Sequence, residues 1–345
     1  MYKKWYEIAG PEGDVVLCTR IRLARNLREF PFPARLDEAG RQNVIAKIRE
    51  HALRESPDLQ FFDMADIPRL RAVSLAERRL ISPEFAQGQP GTALLLHPEE
   101  SVSILLCEED HLRLQALRPG LALFEAYEQA DALDAALGRR LRYAFDERLG
   151  YLTQCPTNLG TAMRASVLLH LPALTALGRV ARLGEGISKL GLTIRGAFGE
   201  GSEAEGALYQ LSNQITLGIT ERAALENLQA ITLQVAEQER RAATECLRQP
   251  AFEDQVWRAW GILGSARRME SKEAIALLSL VRMGAARGIL PAKAEDLTAL
   301  MVLTQPATLS LGSETPPDAG QRDARRAEVV RERLGTKAGQ NEGHG

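Results

Sequence analysis

TALLLHPEESVSILLCEEDHLRLQ, residues 92–115, carries two short apolar runs with Pro98, Glu99 and Glu100 between them. TALLLH (92–97) and SVSILLC (101–107) both suit β-strands, and the second alternates loosely between apolar and polar positions. Glu108, Glu109 and Asp110 follow the second run directly, with Arg113 close behind. Three acids at a strand end make either a polar turn or a carboxylate held at the mouth of a cleft. Their spacing leaves both readings open.

Working outward, residues 36–55 carry Val44, Ile45, Ile48 and Ala52 at helical spacing. Residues 1–14 read as a short polar leader. Downstream, residues 121–142 have helix-forming composition, MRASVLLHL is a strand candidate, and residues 173–190 read as a helix. LTIRGAF suits a strand, GEGSEAEG a mobile loop, and ALYQLSNQITLG a strand pair or one bent strand. An amphipathic helix spans 221–248, with Leu225, Leu228, Ile231 and Val235 on one face. After Pro250 the pattern is helical throughout 251–310, and a basic helix (RDARRAEVVRERL) follows a Pro/Gly break. These patterns place residues 15–245 in an α/β or α+β domain around an antiparallel sheet. Residues 246–335 form a smaller all-helical domain, and 336–345 a disordered polar tail.

The bulk composition narrows the function classes. The 345 residues are 45% hydrophobic and 26% charged with net charge −2, an ordinary globular balance. Nothing in that charge points to nucleic acid or an anionic membrane. No apolar run approaches the ~20 residues of a bilayer span, and the start lacks a signal-peptide core. Cys18, Cys107, Cys155 and Cys246 form no CxxC pair, so reduced thiols in a cytoplasmic protein are the simplest reading. The five histidines show no metal-ligand spacing, and neither a Walker loop nor the protein-kinase motif set is present.

Three further segments can carry chemistry. In CTRIRLARN, residues 18–26, Arg20 and Arg22 alternate with apolar neighbours, so a strand would point both to one face. Two guanidinium forks there suit phosphate oxygens, and equally suit a solvated face paired with acids. QCPTNLGTAMRAS, residues 154–166, sets Cys155 among turn residues ahead of Arg164. IRGAFGEGSEAEG, residues 194–206, sets Arg195 before a Gly-rich loop bearing Glu200, either a closing loop or a plain connection.

Taken in order, CTRIRLARN, CEEDHLRLQ, CPTNLGT and RGAFGEGSEA resemble the motifs of the phosphagen kinases, the ATP:guanido phosphotransferase family. AERRLISPEF, YAFDERLGYLTQCPTNLGT and YQLSNQITLG resemble most the branch that phosphorylates arginine side chains of proteins. The similarity continues through 257–335, in WGIL, SKEA and RDARRA.

The resemblance implies an α+β fold, an antiparallel sheet flanked by helices of glutamine-synthetase-like type, followed by a helical C-terminal domain. It implies ATP and Mg2+, with the metal carried by the nucleotide and no protein ligand. The nucleotide segments it implies are Cys18, Thr19, Arg20, Ile21 and Arg22; Arg113; Arg164 and the backbone of Arg164, Ala165, Ser166, Val167 and Leu168; and Arg195, Gly196, Ala197, Phe198, Gly199 and Glu200. Arg79 stands where the family commonly has histidine and would add a nucleotide contact. Cys107 replaces a usual asparagine, and Ala162 a usual glycine. Glu109 matches the catalytic base, Glu200 its partner across the acceptor guanidinium, and Cys155 the thiol beside it. Arg322, Asp323 and Arg326 match a phosphoarginine-binding regulatory motif.

Family members acting on free metabolites carry a helical domain ahead of the catalytic one. Here 19 residues precede Arg20, which implies an acceptor site open to folded partners. Further implications are a homodimer, a zinc-binding activator protein, marking of substrates for the Clp protease, and control of a heat-shock repressor. A kinase for a small free guanidino metabolite and a non-catalytic phosphoarginine-binding adaptor are the alternatives.

Overall fold

Ten strands and eleven α-helices form among residues 3–197, 204–313 and 317–335, the residues described by the computed structural model. The central strand is β1 (Val16–Arg25), the longest of the sheet. Around it lie β2 (Gln60–Asp63), β3 (Ala93–Leu96), β4 (Val102–Leu106) and β5 (Leu112–Pro119), then β8 (Met163–His170), β9 (Leu192–Gly196) and β10 (Leu208–Asn213). Their order is β2-β3-β4-β5-β1-β8-β10-β9, and every neighbouring pair is antiparallel. A separate hairpin, β6 (Phe145–Asp146) with β7 (Gly150–Tyr151), stands apart from the sheet.

One face of the sheet is packed. Helices α1 (Glu38–Glu55), α3 (Leu123–Gly138) and α6 (Glu221–Leu247) cover it. Each presents an apolar stripe: Val44, Ile45 and Ile48 on α1, Leu225, Leu228 and Val235 on α6, all buried. Local chemistry sets the helix starts. Asp37 accepts from Gly40 N at 2.8 Å at the head of α1, and Thr220 accepts from Ala223 N at 3.2 Å at the head of α6. An antiparallel sheet covered on one side leaves the other free for polar side chains, and here the arginines lie on that side.

The helical unit holds α7 (Pro250–Ser265), α8 (Ser271–Ala286), α9 (Ala294–Leu303), α10 (Pro306–Leu309) and α11 (Ala319–Arg333). Its core is continuous with that of the sheet domain. α10 sits on α2 (Arg69–Glu77), where the Glu77 carboxylate accepts from Ala307 N at 2.9 Å and Thr308 N at 2.7 Å.

The elements depart from the sequence reading in several places. The helix expected over 173–190 is two, α4 (Pro172–Ala176) and α5 (Val180–Ser188), because Gly178 turns the chain with φ +65°. ALYQLSNQITLG forms one strand, β10, and then leaves the sheet. The stretch read as helical throughout 251–310 is interrupted between its helices, at Gly288 with φ +75°. The polar leader is part of the core: Trp5 and Tyr6 are each 4% exposed, and Trp5 Nε1 donates to Arg78 O at 3.2 Å. Two buried aromatics outweigh the lysines around them. Among the described residues, no helix is long and apolar enough to cross a membrane.

Candidate active site

Cross-strand register gathers the arginines. On β1, Arg20 is opposite Ser166 of β8 and Leu117 of β5, while Arg22 is opposite Arg164 and Gln115. Directly opposed residues share a face, so Arg20, Arg22, Arg164 and Ser166 all lie on the open side. Arg113 of β5 pairs with Ala24 two positions on, and joins them. Arg195 on β9 pairs with Gln210 on β10, on that same side. The same rule turns some side chains of these segments away from the open side. Thr19, Ile21, Ala165 and Val167 point to the packed face and are at most 1% exposed. Thr19 Oγ1 donates to Gly120 O at 2.7 Å, a fold contact. Only backbone of those four positions is available to a ligand.

A sixth arginine comes from a loop. Arg79 follows α2 with φ +69°, a left-handed conformation costly for a side chain by ~1–2 kcal/mol. Its carbonyl accepts from the buried Gln115 Nε2 at 3.0 Å, which locks the turn. Its guanidinium then reaches Gln210, whose Oε1 accepts from Arg79 Nη2 at 2.7 Å and from Arg20 Nη2 at 2.8 Å. One amide oxygen thus serves two cations. Cys18 lies buried beside Arg79 and Arg20, and burial raises its thiol pKa despite their charge.

These groups line a cavity of about 520 Å³ whose other wall is apolar, with Val73, Ile81 and Leu105. Arg20, Arg22 and Arg79 in its lining, and Arg164 opposite Arg22 on β8, all keep an Nε buried without a hydrogen-bond partner among the described residues. Burial is the main cause of a depressed pKa at each: Arg22 falls to about 9, helped by Arg113 and Arg164. Arg20 falls well below its ordinary value, with Arg22 and Arg79 adding to the effect. Arg164 is lowered too, by burial and then by Arg195 and Arg113. Clustered buried cations with unused donors are costly by themselves. A ligand with several anionic oxygens on one flat or apolar body would relieve both the repulsion and the missing hydrogen bonds.

The acids stand at the edge of this cluster. Arg113 Nη2 donates to Glu109 Oε2 at 3.1 Å, and Arg113 Nη1 pairs with Glu108. Glu108 also accepts from Ser82 Oγ at 2.7 Å. Glu109 is the open one, its side chain 37% exposed against 15% for Glu108. Asp110 is wholly buried, and its Oδ1 accepts from Asn26 Nδ2 at 2.6 Å and Gln154 N at 2.9 Å. So Asp110 ties the Cys155 loop to the turn that carries Glu109. Cys155 is half-buried, its Sγ 3.0 Å from Thr157 Oγ1. The loop needs Gly160: φ is +100°, and a Cβ there would collide with the backbone of Thr216 and Leu217.

Residues 42–242 match the family description "ATP:guanido phosphotransferase, C-terminal catalytic domain". The chain belongs to the ATP:guanido phosphotransferase family. As a member it is a guanidino phosphotransferase with ATP as its nucleotide substrate. Residues 249–344 match the description "Protein-arginine kinase McsB C-terminal domain". The chain is 46% identical to a protein-arginine kinase of Brevibacillus brevis, covering 96% of this chain and 95% of that one. It is 44% identical to a protein-arginine kinase of Halothermothrix orenii, covering 96% of each. The duplicated taurocyamine kinase of Schistosoma mansoni shares the fold with TM-score 0.61 at 23% identity. There the alignment covers 79% of this chain and 40% of that one. A lombricine kinase shares it with TM-score 0.59 at 22% identity, covering 70% and 71%.

Several site residues of this guanidino phosphotransferase escaped the sequence reading. Gln210, Gln115 and Ser82 each hold a charged group or its backbone in place. Their signal was weak: a polar residue at an alternate position of a strand, or after a helix. Of the residues read as nucleotide contacts, Ala197 lines the cavity beside Gly196 at the end of β9. Leu168 is buried at 3% exposure. Phe198, Gly199 and Glu200 lie outside the described residues. The two other family departures share a feature with Arg79: Cys107 and Ala162 have φ +55° and +48°. Cys107 is buried, and burial pushes its thiol up to about 12.

The RDARRA segment lies on α11, outside the cavity lining. Arg322 Nη1 donates to Pro317 O at 2.7 Å. Arg326 is 1% exposed; its Nε donates to Thr304 O at 3.0 Å, and its Nη1 to Met269 O and Asp323 Oδ1, both at 2.7 Å. Arg326 is thus a buried packing group here, while Arg322 and Asp323 stand nearer the surface.

Proposed function

We propose that this chain transfers the γ-phosphate of ATP to the guanidinium of arginine side chains in proteins. The observation that carries this reading is the group of buried arginines with unused Nε donors, opening beside the accessible carboxylate of Glu109. The names of the relatives that match almost end to end support the choice of protein arginine as acceptor.

The chemistry follows from what the acceptor lacks. A guanidinium has a pKa above ~12, so its nitrogen must lose a proton as it attacks phosphorus. Glu109 aligns the acceptor and takes that proton, and Glu200 of the Gly-rich loop clamps it from the other side. Cys155 assists beside it. Arg20, Arg22, Arg79, Arg113, Arg164 and Arg195 hold the phosphates, neutralising charge as it shifts toward the leaving oxygen. With phosphate bound, Arg113 exchanges part of its hold on Glu108 and Glu109 for phosphate oxygens, which frees Glu109 for the acceptor. Mg2+ fits this scheme as a passenger of the triphosphate. Among the described residues no group of three or more His, Cys, Asp or Glu is placed to hold a metal. When bound, the ion would add to the charge neutralisation the arginines provide.

The same reading extends to regulation. Arg322 and Asp323, backed by the buried Arg326, form a phosphoarginine-binding site on a homodimer in the cytoplasm. A zinc-binding activator, the Clp protease and a heat-shock repressor are the partners that the motifs imply.

The test is a reaction with Mg-ATP and an arginine-rich, loosely folded protein, read by mass spectrometry without acid, with free arginine in parallel. Phosphate on protein arginines but not on free arginine is expected. Product on free arginine alone would point to a small-metabolite kinase, and no product at all, with activator present, to an adaptor. Glu109→Gln is expected to lower kcat about 10³-fold while ATP still binds. Substantial activity in that variant would remove Glu109 from its role.

A further inference from the structure

On the acceptor side of the Glu109 turn lies a second cavity, of about 510 Å³, between residues 26–35 and the β6–β7 hairpin. It is built from the same hydrogen bonds that hold the acids. Asn26, on its wall, donates to Asp110 Oδ1 at 2.6 Å and to Leu152 O at 3.0 Å, and Leu152 is another wall residue. Across the rim, Gln154 Oε1 accepts from Ala34 N at 3.0 Å, one residue before Cys155. The His111 ring fastens the same loop: its Nδ1 accepts from Leu27 N at 3.0 Å, so its Nε2 is the donor to Pro31 O at 2.9 Å. The pocket therefore shares its scaffold with the turn that carries Glu109.

Its walls are rigid yet unpartnered. Ala144 N donates to Asn26 O and Arg28 N to Arg142 O, both at 2.8 Å, which fixes the hairpin against the loop. Tyr151 is stacked under the Arg25 guanidinium at 3.5 Å and meets Phe145 edge-on at 5.3 Å. Phe145 nonetheless stands 58% exposed and Leu149 42%. Apart from the Tyr151 edge contact, a large apolar side chain held out on the hairpin leaves most of its surface in water. Phe30 and Phe32 face the same pocket half-buried. Charge adds direction. Arg28 and Arg35 line the pocket, exposed and without a carboxylate partner among the described residues. The one acid lining it, Asp146, has its Oδ1 engaged by Arg148 N at 2.8 Å and Leu149 N at 3.0 Å.

We propose that this pocket docks the polypeptide flanking the acceptor arginine, taking an apolar side chain against Phe145 and Phe32 and a neighbouring carboxylate on Arg28 and Arg35. It rests on the protein-arginine reading above and names the sequence class that reading lacks. Pre-ordered walls keep the entropy cost of binding low, so the pocket acts on KM and leaves the chemical step alone.

Two labelled peptides test it, each with one central arginine: one flanked by Leu and Glu, the other by Gly and Ser. The wild type is expected to show a KM about tenfold lower for the Leu/Glu peptide. Phe145→Ala and Arg35→Glu each erase that preference, with kcat, the KM for ATP and the thermal midpoint unchanged. A peptide with Lys in place of Glu regains preference in Arg35→Glu. Equal KM values in the wild type, or a preference that survives both substitutions, would overturn the proposal. Fluorescence anisotropy of the same peptides reads docking without turnover. If no phosphoarginine forms on either peptide the kinase reading fails, and anisotropy still decides the pocket: unchanged binding in Phe145→Ala overturns it.

Discussion

Arg282, in the helical unit, is 1% exposed, and all three of its nitrogens are used. Nε donates to Thr298 Oγ1, Nη1 to Asp14 O and His170 Nδ1, each at 2.9 Å, and Nη2 to Gly13 O at 2.5 Å. In the sheet domain Arg79 is 8% exposed and Arg20, Arg22 and Arg164 are half-buried, yet each leaves a buried Nε unused. The same side chain therefore does two jobs. Where the protein supplies every acceptor, a buried arginine is a bolt between domains. Where the donors are left over and the neighbours are also cations, the missing acceptors must arrive with a ligand.

Exchanging one arginine of each kind should separate the two jobs. Arg22→Met removes a charge crowded by Arg113 and Arg164. It is expected to lower kcat/KM about 10²–10³-fold, while the unfolding midpoint of the ligand-free protein holds or rises. A clear fall in that midpoint would mean Arg22 is a fold residue after all. Arg282→Met should do the reverse, leaving four acceptors without a donor at a cost of about 3 kcal/mol. Denaturant titration measures it, and folded protein should keep its kcat. Third, inorganic tripolyphosphate at 100 times its Kd should stabilise the wild type by about 2.7 kcal/mol. Little of that should remain in Arg22→Met at the same concentration, and an equal gain in both proteins would break the comparison.

The smallest effect is a pH dependence. Burial, and then Arg282, hold His170 well below its ordinary value near 6.5, while Nε2 donates to Ser279 Oγ at 2.8 Å. The unfolded chain takes up the proton first as pH falls. The stability contributed by the neutral ring is thus complete above about pH 6.5 and declines below it by about 1.4 kcal/mol per pH unit. Denaturant midpoints at pH 7.5 and 5.5 should diverge less in His170→Gln than in the wild type.

How much of this was legible beforehand depended on sequence distance. Strands β3 and β4, the acid turn and the start of β5 follow one another in a single 24-residue stretch, 92–115, so pattern marked the acid cluster, while the choice of Glu109 within it came from the family resemblance. Arg20 and Arg22 fell on one face by strand period. The same period leaves Thr19 and Ile21 only their backbone on the open side, as the resemblance already had it for Ala165 and Val167. Gln210 went unseen because its partners Arg20 and Arg79 lie 190 and 131 residues away. Nor does a run rich in polar residues announce that Trp5 and Tyr6 are core, since that follows from the surface they meet.

By itself, then, the sequence determined the antiparallel α+β domain, the helical unit after it, the arginine-and-acid motifs and the family to which they belong. These depend on periodicity and order along the chain, which local backbone geometry imposes. Tertiary structure alone decided which arginines have every donor used and which keep a buried Nε unpartnered, that Arg326 is buried, and that a pocket shares its scaffold with the Glu109 turn. Each of those depends on whether an acceptor or an apolar neighbour arrives from a distant segment, and burial makes such partners count because it removes the water that would otherwise take their place.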